Sequence, residues 1–345
     1  MLNRIKLKNF TVFNDVDLKL SRNLNIIIGE NGMGKSHLLK IAYSIIASNS
    51  KPNGNTEQSN TKTQLQKIYA DKLINVFRPE SLGRLVRRKQ GRERCEIQLT
   101  FDDSDYNCQF SFSTSSKSEV QIEDTPKKMF SDFPVFLPTR ELLTIYPSFV
   151  HTYQNNYLEY EETYYDTCVL LGAYLTKGPR EEQAKQLLQP LEEAMGGKTI
   201  LDNGRFYLSM HGKGTMEMSL VAEGLRKLAM LARLIATGSL LGKGTLFWDE
   251  PEANLNPKLI KTVAKIIMQL CQSGIQVFIA THSLFLLREL EILSKKEFEM
   301  LNTRYLGLKE GESGISVEQG DEIYDIETLT LLDESLLQSD RYINL

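Results

Sequence analysis

The segment GENGMGKS, residues 29–36, combines three glycines with a lysine and a hydroxyl in the pattern G-x-x-x-x-G-K-[ST]. Glycine lets the backbone curl so that its N–H groups point inward, and a following helix adds the positive end of its dipole. Such a loop binds phosphate, with Lys35 reaching the outer phosphates of a nucleotide and Ser36 ligating Mg²⁺. The predicted nucleotide-binding residues are Gly29, Asn31, Gly32, Met33, Gly34, Lys35, Ser36 and His37.

A second pair of polar residues stands at the end of an apolar run. In TLFWDEPE, residues 245–252, Asp249 and Glu250 emerge at the carboxyl end of a predicted strand, where α/β folds place ligands. Alone, this pair fits a capped turn equally well. Together with a phosphate loop, it predicts that Asp249 holds Mg²⁺ through water and that Glu250 is the general base for an attacking water.

The elements that must position these residues follow from apolar spacing. LNIII (24–28) reads as a strand buried on both faces, and SHLLKIAYSIIAS reads as a helix, so the glycine loop joins strand to helix. A plain glycine turn before a core helix is the alternative without a ligand. Regular strand–helix alternation after residue 223 predicts a parallel sheet covered by helices.

The remaining segments are predicted in outline. Residues 3–20 alternate apolar and polar residues like a β-hairpin, and the region from 72 to 123 is strand-like throughout. Residues 150–194 have a helical pattern. Residues 49–63 carry no large apolar side chain and are predicted to be a flexible insert.

Composition excludes several classes of protein. The chain has 345 residues, of which 41% are hydrophobic and 25% charged, with a net charge of −3, which suits a large globular core. No window approaches the roughly 20 apolar residues of a membrane span, and no segment reads as a signal peptide. We therefore expect a cytoplasmic protein with no membrane partner, whose four scattered cysteines are reduced thiols.

Taken together, GENGMGKS, WDEPEANLNP and THS resemble the ATP-binding-cassette (ABC) class of ATPase heads, in the branch that contains SMC, RecF and OLD-like proteins. The resemblance covers roughly residues 1–45 and 130–300. LPTRE, AEGLRKLAMLARLI and LFWDEPEANLNP further resemble the standalone AAA-type ATPases of prokaryotic phage-defence and toxin operons. The resemblance implies an ATPase with ATP and Mg²⁺ as cofactors.

The resemblance also implies an α/β fold, an ABC-ATPase head with a mixed P-loop sheet flanked by helices, an antiparallel β lobe and a helical lobe. We expect a single head over residues 1–345. Its expected lobes are the Walker A and antiparallel β lobe in 1–140, the helical lobe in 141–218, the signature, Walker B, D-loop and switch histidine in 219–300, and a C-terminal extension in 301–345.

VAEGL, residues 221–225, occupies the place of the LSGGQ-type signature, which in ABC heads faces the ATP held by a second subunit. Gly224 and a helix N-terminus remain for phosphate, but Ala222 has no hydroxyl to donate. Glu223 would repel phosphate unless it points elsewhere, to its own helix N-terminus or to Arg226. An altered signature is one interpretation, and an ordinary core helix is the other.

By the same resemblance, ANLN (253–256) is a D-loop at a dimer interface through Asn254 and Asn256, and His282 is a catalytic switch histidine near the γ-phosphate. LPTRELL stands where ABC heads carry the Q-loop glutamine, and Arg140 and Glu141 are candidate equivalents.

The basic stretch GRLVRRKQGRER (83–94) has three interpretations: a nucleic-acid contact, an arginine that reaches ATP, or a solvated face. The candidate contacts are Arg87, Arg88, Lys89 and Arg92.

Two functions remain open. In the first, an ATP-hydrolysing switch forms a homodimer or higher homo-oligomer through its ATP sites and controls a separate effector, a nuclease or toxin, in anti-phage defence. In the second, a RecF- or SMC-like repair or recombination ATPase acts on DNA itself. A transporter subunit is disfavoured by the altered signature, the long lobe insertion and the missing Q-loop glutamine.

Overall fold

The computed structural model describes residues 1–51, 60–88, 91–155, 158–311, 314–327 and 330–344. Most of the predicted flexible insert (52–59) and Lys89 of the basic stretch lie outside these ranges. The strands are β1 Leu2–Phe10, β2 Phe13–Lys19, β3 Leu24–Ile28, β4 Arg94–Phe101, β5 Cys108–Ser113, β6 Gln121–Asp124, β7 Val135–Leu137, β8 Gly197–Asp202, β9 Arg205–Met210, β10 Gly214–Glu217, β11 Thr245–Asp249, β12 Gln276–Thr281, β13 Thr303–Gly311 and β14 Gly314–Gly320. The helices are α1 Lys35–Ser48, α2 Lys62–Phe77, α3 Tyr146–Gln154, α4 Glu162–Leu171, α5 Pro179–Met195, α6 Glu223–Ala236, α7 Pro257–Gln272, α8 Leu284–Lys296 and α9 Thr330–Ile343.

The main sheet joins a parallel half to an antiparallel half. Its order within the described residues is β6-β5-β4-β1-β2-β14-β13-β3-β12-β11-β7. Strands β13, β3, β12, β11 and β7 run parallel to one another, whereas β1 pairs antiparallel with both β2 and β4. This mixed sheet, covered by helices and extended by an antiparallel wing, confirms the predicted fold class.

Strand β3 lies near the middle of this sheet, and all of its residues are buried. Ile26 packs into the core that contains α6 and α7, while Ile27 packs into the opposite core, with α1 and α2. Because both faces of the strand are covered by helices, a continuous apolar run is required here instead of alternation. The phosphate loop therefore leaves from a rigid strand.

Helix α2 corrects the prediction that residues from 72 onward are strand-like. Its buried residues recur at helical spacing, at Leu65, Tyr69, Leu73 and Val76. Thr61 begins the helix with a capping box, in which its side chain accepts from the Gln64 N–H and the Gln64 side chain accepts from the Thr61 N–H. The helical period and the cap were both present in the sequence and outweigh the strand-like residues at the end of the segment.

Strands β13 and β14 fall within the expected C-terminal extension of 301–345, and both are built into the main sheet. Strand β13 pairs parallel with β3, and β14 pairs antiparallel with β13. Tyr305, Leu306 and Leu308 are buried. A smaller antiparallel sheet, β10-β9-β8, lies within the region predicted as the helical lobe, and its strand β8 was not predicted. In the described residues, no helix is long and apolar enough to cross a membrane.

Candidate nucleotide-binding site

The glycine loop between β3 and α1 adopts the curled backbone that its sequence predicts. Gly32 and Gly34 have φ angles of 85° and 93°, a region that other residues rarely adopt. Gly34 also lies against the turn between β1 and β2. A Cβ atom added there would lie 2.7 Å from Cγ2 of Val12 and 2.8 Å from Cζ of Phe13. Glycine at position 34 is thus required by conformation and by packing.

The side chain of Lys35 is folded into the loop. It is 6% exposed, and its Nζ donates to the carbonyl oxygens of Gly29 at 2.7 Å and Glu30 at 2.9 Å. Burial lowers the pKa of Lys35, and the nearby carboxylates of Glu250 and Asp249 oppose that shift. The ammonium therefore stands inside the curl of the loop, where phosphate oxygens would compete with the two carbonyls for its protons.

Ser36 and Asp249 meet across the carboxyl edge of the sheet. Ser36 is in the first turn of α1, Asp249 ends β11, and the Ser36 hydroxyl donates to Oδ2 of Asp249 at 2.7 Å. Burial raises the pKa of Asp249, the charge of Glu250 adds to the rise, and the Ser36 hydrogen bond opposes it. A hydroxyl beside a half-buried carboxylate is a donor set that suits Mg²⁺.

The described residues contain no group of three or more His, Cys, Asp and Glu side chains able to hold a metal by themselves. Mg²⁺ usually binds through one or two protein oxygens together with substrate phosphates and water. The pair of Ser36 and Asp249 beside the glycine loop fits that mode of binding.

Glu250 follows Asp249 and faces the end of the next strand. Its Oε1 lies 3.2 Å from Nδ1 of His282, which follows β12. Its φ angle is 49°, a strained value for a residue other than glycine. Buried Glu252 ties the same turn to β12, because its Oε1 accepts the Thr281 hydroxyl at 2.6 Å. The structure thus brings together Lys35, Ser36, Asp249, Glu250 and His282 at one edge of the sheet.

A cavity of about 720 Å³ lies beside the glycine loop, and part of the basic stretch lines it. Its lining includes Asn31, Gly32 and Met33 of the loop and His37 of α1, together with Thr11, Phe77, Arg84, Arg87 and Arg88. A Cβ at Gly314 would lie 2.6 Å from Nη2 of Arg87, so the start of β14 packs directly against this arginine. Of the interpretations of the basic stretch, this placement favours an arginine directed at the nucleotide. Arg92 is exposed and does not line this cavity.

The altered signature packs against the segment after the Walker B strand. Ala222 precedes α6 without a side-chain cap, and Oε1 of Glu223 accepts from Nδ2 of Asn254 at 2.9 Å. This contact corrects the expectation that Glu223 turns to its own helix N-terminus or to Arg226. A Cβ at Gly224 would lie 2.8 Å from the carbonyl oxygen of Asn254. The close approach of two backbones explains why glycine stands at this position.

A cavity of about 540 Å³ opens at this contact, and its lining includes Ala222, Gly224, Asn254, Asn256 and Lys258. Asn256 also begins α7, because its Oδ1 accepts from the Leu259 N–H at 3.0 Å. The predicted signature and D-loop residues therefore share one surface.

The two Q-loop candidates stay predictions, and Glu141 is engaged by its own turn. Its Oε2 accepts from the backbone N–H groups of Leu143 and Thr144. Its Oε1 accepts a hydrogen bond from the Thr144 hydroxyl. The same oxygen forms an ion pair with Arg226, 3.1 Å from Nε, but the geometry is not that of a hydrogen bond. The other candidate, Arg140, is exposed just beyond β7, the neighbour of β11.

One buried residue at the site was not singled out from the sequence. Lys227 is 1% exposed, and its Nζ donates to the carbonyl oxygens of Glu250 and Ala253, both at 3.0 Å. The sequence does hold a signal for it: Lys227 is a charged residue on the apolar face of α6. It lies three residues after Gly224 and four residues before Leu231, both of which are buried.

Comparisons with known proteins agree with this geometry. A family model described as "AAA ATPase domain" matches residues 1–189, and one described as "AAA domain, putative AbiEii toxin, Type IV TA system" matches residues 170–288. The DNA replication and repair protein RecF of Acetivibrio thermocellus is 30% identical over 127 residues, which are 37% of this chain and 27% of RecF. The match thus spans about a quarter of that relative.

Solved SMC heads share the fold at low identity. The SMC head domain from Thermotoga maritima has a TM-score of 0.50 at 13% identity, covering 92% of this chain and 97% of that one. An SMC head bound to the C-terminal winged-helix domain of ScpA has a TM-score of 0.56 at 12% identity, covering 94% and 98%. Since one family model matches more than half of the chain, the protein belongs to the AAA ATPase domain family, and it shares its fold with the SMC heads.

Proposed function

We propose that the protein binds ATP with Mg²⁺, hydrolyses it, and uses the pairing of two copies around the nucleotide to control a separate effector, a nuclease or toxin, in anti-phage defence. The observation that carries the hydrolytic part is the 2.7 Å contact between Ser36 and Asp249, with Glu250 and His282 3.2 Å apart beside it. Nucleophile activation and phosphate binding then share one edge of the sheet.

Each residue has a role that its position supports. The glycine-loop N–H groups and Lys35 bind the phosphates, while Ser36 and Asp249 hold Mg²⁺, which supplies positive charge to the phosphate oxygens when bound. Glu250 accepts a proton from the attacking water. His282, 45% exposed, orients the Glu250 carboxylate and stands near the γ-phosphate.

Pairing of two copies is supported by the surface formed by Ala222, Gly224 and Asn254. Because Asn254 engages the Glu223 carboxylate, the N-terminus of α6 is available to phosphate with less repulsion than the sequence suggests. Lys258 adds a positive charge to the same cavity. A second copy could place its nucleotide there. A place in a toxin–antitoxin system is supported by the family model that matches residues 170–288, whose description names a putative AbiEii toxin of a Type IV system.

The hydrolytic part is tested by two substitutions in steady-state ATPase and nucleotide-binding assays. We expect Lys35→Ala to abolish nucleotide binding. Glu250→Gln should retain binding and lower turnover by about a hundredfold or more, since it removes the general base. Lys265→Ala and Glu297→Gln, at a surface ion pair remote from the site, are the matched controls. Equal turnover in wild type and Glu250→Gln would remove Glu250 from this role.

The effector part is tested by capture from the native host, with tagged Glu250→Gln protein and saturating ATP. A stoichiometric nuclease or toxin that is absent from a parallel Lys35→Ala capture would support the proposal. Recovery of nucleic acid without such a protein would contradict it.

The RecF match favours a second candidate, an ATPase that acts on DNA. Because Arg87 and Arg88 line the cavity beside the glycine loop and Arg92 does not, substitutions of these arginines distinguish the two candidate functions. If Arg87 and Arg88 serve the nucleotide, alanine at either position raises the KM for ATP without DNA, and Arg92→Ala leaves turnover unchanged. If the stretch serves DNA, these variants lose DNA-stimulated turnover while basal turnover persists.

A further inference from the structure

Lys227 is a buried cation whose two acceptors are both backbone carbonyls of the Walker B turn. It projects from the second turn of α6 and is 1% exposed. Its Nζ donates to the Glu250 and Ala253 oxygens at 3.0 Å each. Burying an ammonium is costly unless its hydrogen bonds are made, so this arrangement fixes the lysine and the turn together.

The turn that Lys227 holds is strained. Glu250 has a φ angle of 49°, and Asn254, just beyond Ala253, has a φ angle of 63°. Strained conformations of residues other than glycine persist when the surroundings over-determine them. Lys227 supplies that constraint from one side, and the bond from Thr281 to Glu252 supplies it from the other.

We propose that Lys227 is a positioning residue: by holding the carbonyl of Glu250, it keeps the Glu250 carboxylate beside His282, and it links the altered signature to the hydrolytic site. This inference rests on the proposed role of Glu250. The link is short, since Glu223 and Gly224 of the same helix contact Asn254 at the far end of the turn. A displacement of α6 by a second copy is thereby transmitted to Glu250 through one side chain.

The test is Lys227→Met, which keeps the length of the side chain and removes its donors. Misplacing a catalytic group by about 1 Å costs up to about a hundredfold in rate. We therefore expect kcat to fall about tenfold to a hundredfold, with the KM and the affinity for ATP changed by less than about twofold. Lys227→Arg should recover part of kcat. If Lys227→Met folds poorly, Lys227→Gln retains one donor group and allows the same comparison.

Arg233→Met is the matched control. Arg233 is a buried cation on the same helix that also donates to two backbone carbonyls, those of Leu171 and Ala173, both at 2.9 Å and away from the site. If loss of any buried cation on α6 lowers kcat equally, Lys227 is structural only and the proposal is overturned. A kcat loss specific to Lys227→Met supports it.

A double-mutant cycle separates this inference from the proposed function. If Lys227 acts through Glu250, adding Lys227→Met to Glu250→Gln lowers turnover no further. A full additional loss would overturn the inference. Wild-type turnover in Glu250→Gln would instead overturn the role of Glu250. Normal kcat in Lys227→Met, with Glu250→Gln stalled, would overturn only the positioning role.

Discussion

Replacement of Gly34 by alanine tests whether the phosphate loop and the β1–β2 turn form one packed unit. The added Cβ would lie 2.7 Å from Val12 and 2.8 Å from Phe13, at a φ angle of 93°. Phe13 is fully buried, so its ring has no free space into which to retreat. Gly32→Ala provides the comparison, because its φ angle is 85° but nothing lies within 4 Å of the added Cβ.

The two substitutions share one cost and differ in another. A left-handed conformation costs a residue other than glycine roughly 1–2 kcal/mol. Overpacking a dense core costs a further 1–3 kcal/mol or so. Gly32→Ala should therefore lose about 1–2 kcal/mol of unfolding free energy, and Gly34→Ala about 2–5 kcal/mol.

Urea denaturation without nucleotide, followed by circular dichroism, measures both losses independently of binding. Equal destabilisation of the two variants would refute the packing argument, because it would leave only the shared backbone cost. A Gly34→Ala protein as stable as wild type would refute the conformational argument as well.

Three further results are expected. Glu141→Ala should lower the free energy of unfolding by about 2–4 kcal/mol, because it removes the carboxylate beside Arg226 and leaves two backbone N–H groups without an acceptor; an unchanged urea midpoint would contradict this. Burial lowers the pKa of Lys227 from 10.5 to about 8. Between these pH values the unfolded chain binds more protons than the folded protein. The free energy of unfolding of wild type should therefore rise by about 3 kcal/mol relative to that of Lys227→Met as the pH rises from 8 to 10.5. Parallel curves of unfolding free energy against pH for the two proteins would exclude a lowered pKa of Lys227. Thr61→Ala removes the α2 cap and should cost about 1 kcal/mol with ATP turnover unchanged; wild-type stability in the same urea titration would refute the cap.

The sequence predicted elements whose signals are local. Strands β3, β11 and β12 are continuous apolar runs, and α7 and α8 follow them with clear helical spacing. Fold class followed from their alternation. The local pattern also held the signals for α2, in Thr61 and the spacing from Leu65 to Val76, but the strand-like residues around them obscured it.

What the sequence could not supply was the choice of partner. Nothing near Glu223 in the chain indicates that its carboxylate accepts a hydrogen bond from Asn254. Arg226 is closer to Glu223 in sequence, yet it pairs with Glu141. Likewise, the basic stretch reads as a charged surface until the sheet order brings it beside the phosphate loop. The partners of Lys227 could not be predicted either, since its two carbonyl acceptors come together only when the strained turn has formed.

The place of β13 beside β3 has a consequence for synthesis on the ribosome. Leu24–Ile28 is translated early and Thr303–Gly311 late, and at about 5–20 residues per second the interval is on the order of 15–55 s. For nearly all of that time β3 lacks both of its sheet neighbours, because β12 (Gln276–Thr281) is also translated late. Its two open hydrogen-bonding edges are a template for aggregation. The nascent chain must therefore keep this buried strand unpaired, and the sheet closes around it only when β12 and β13 have left the exit tunnel.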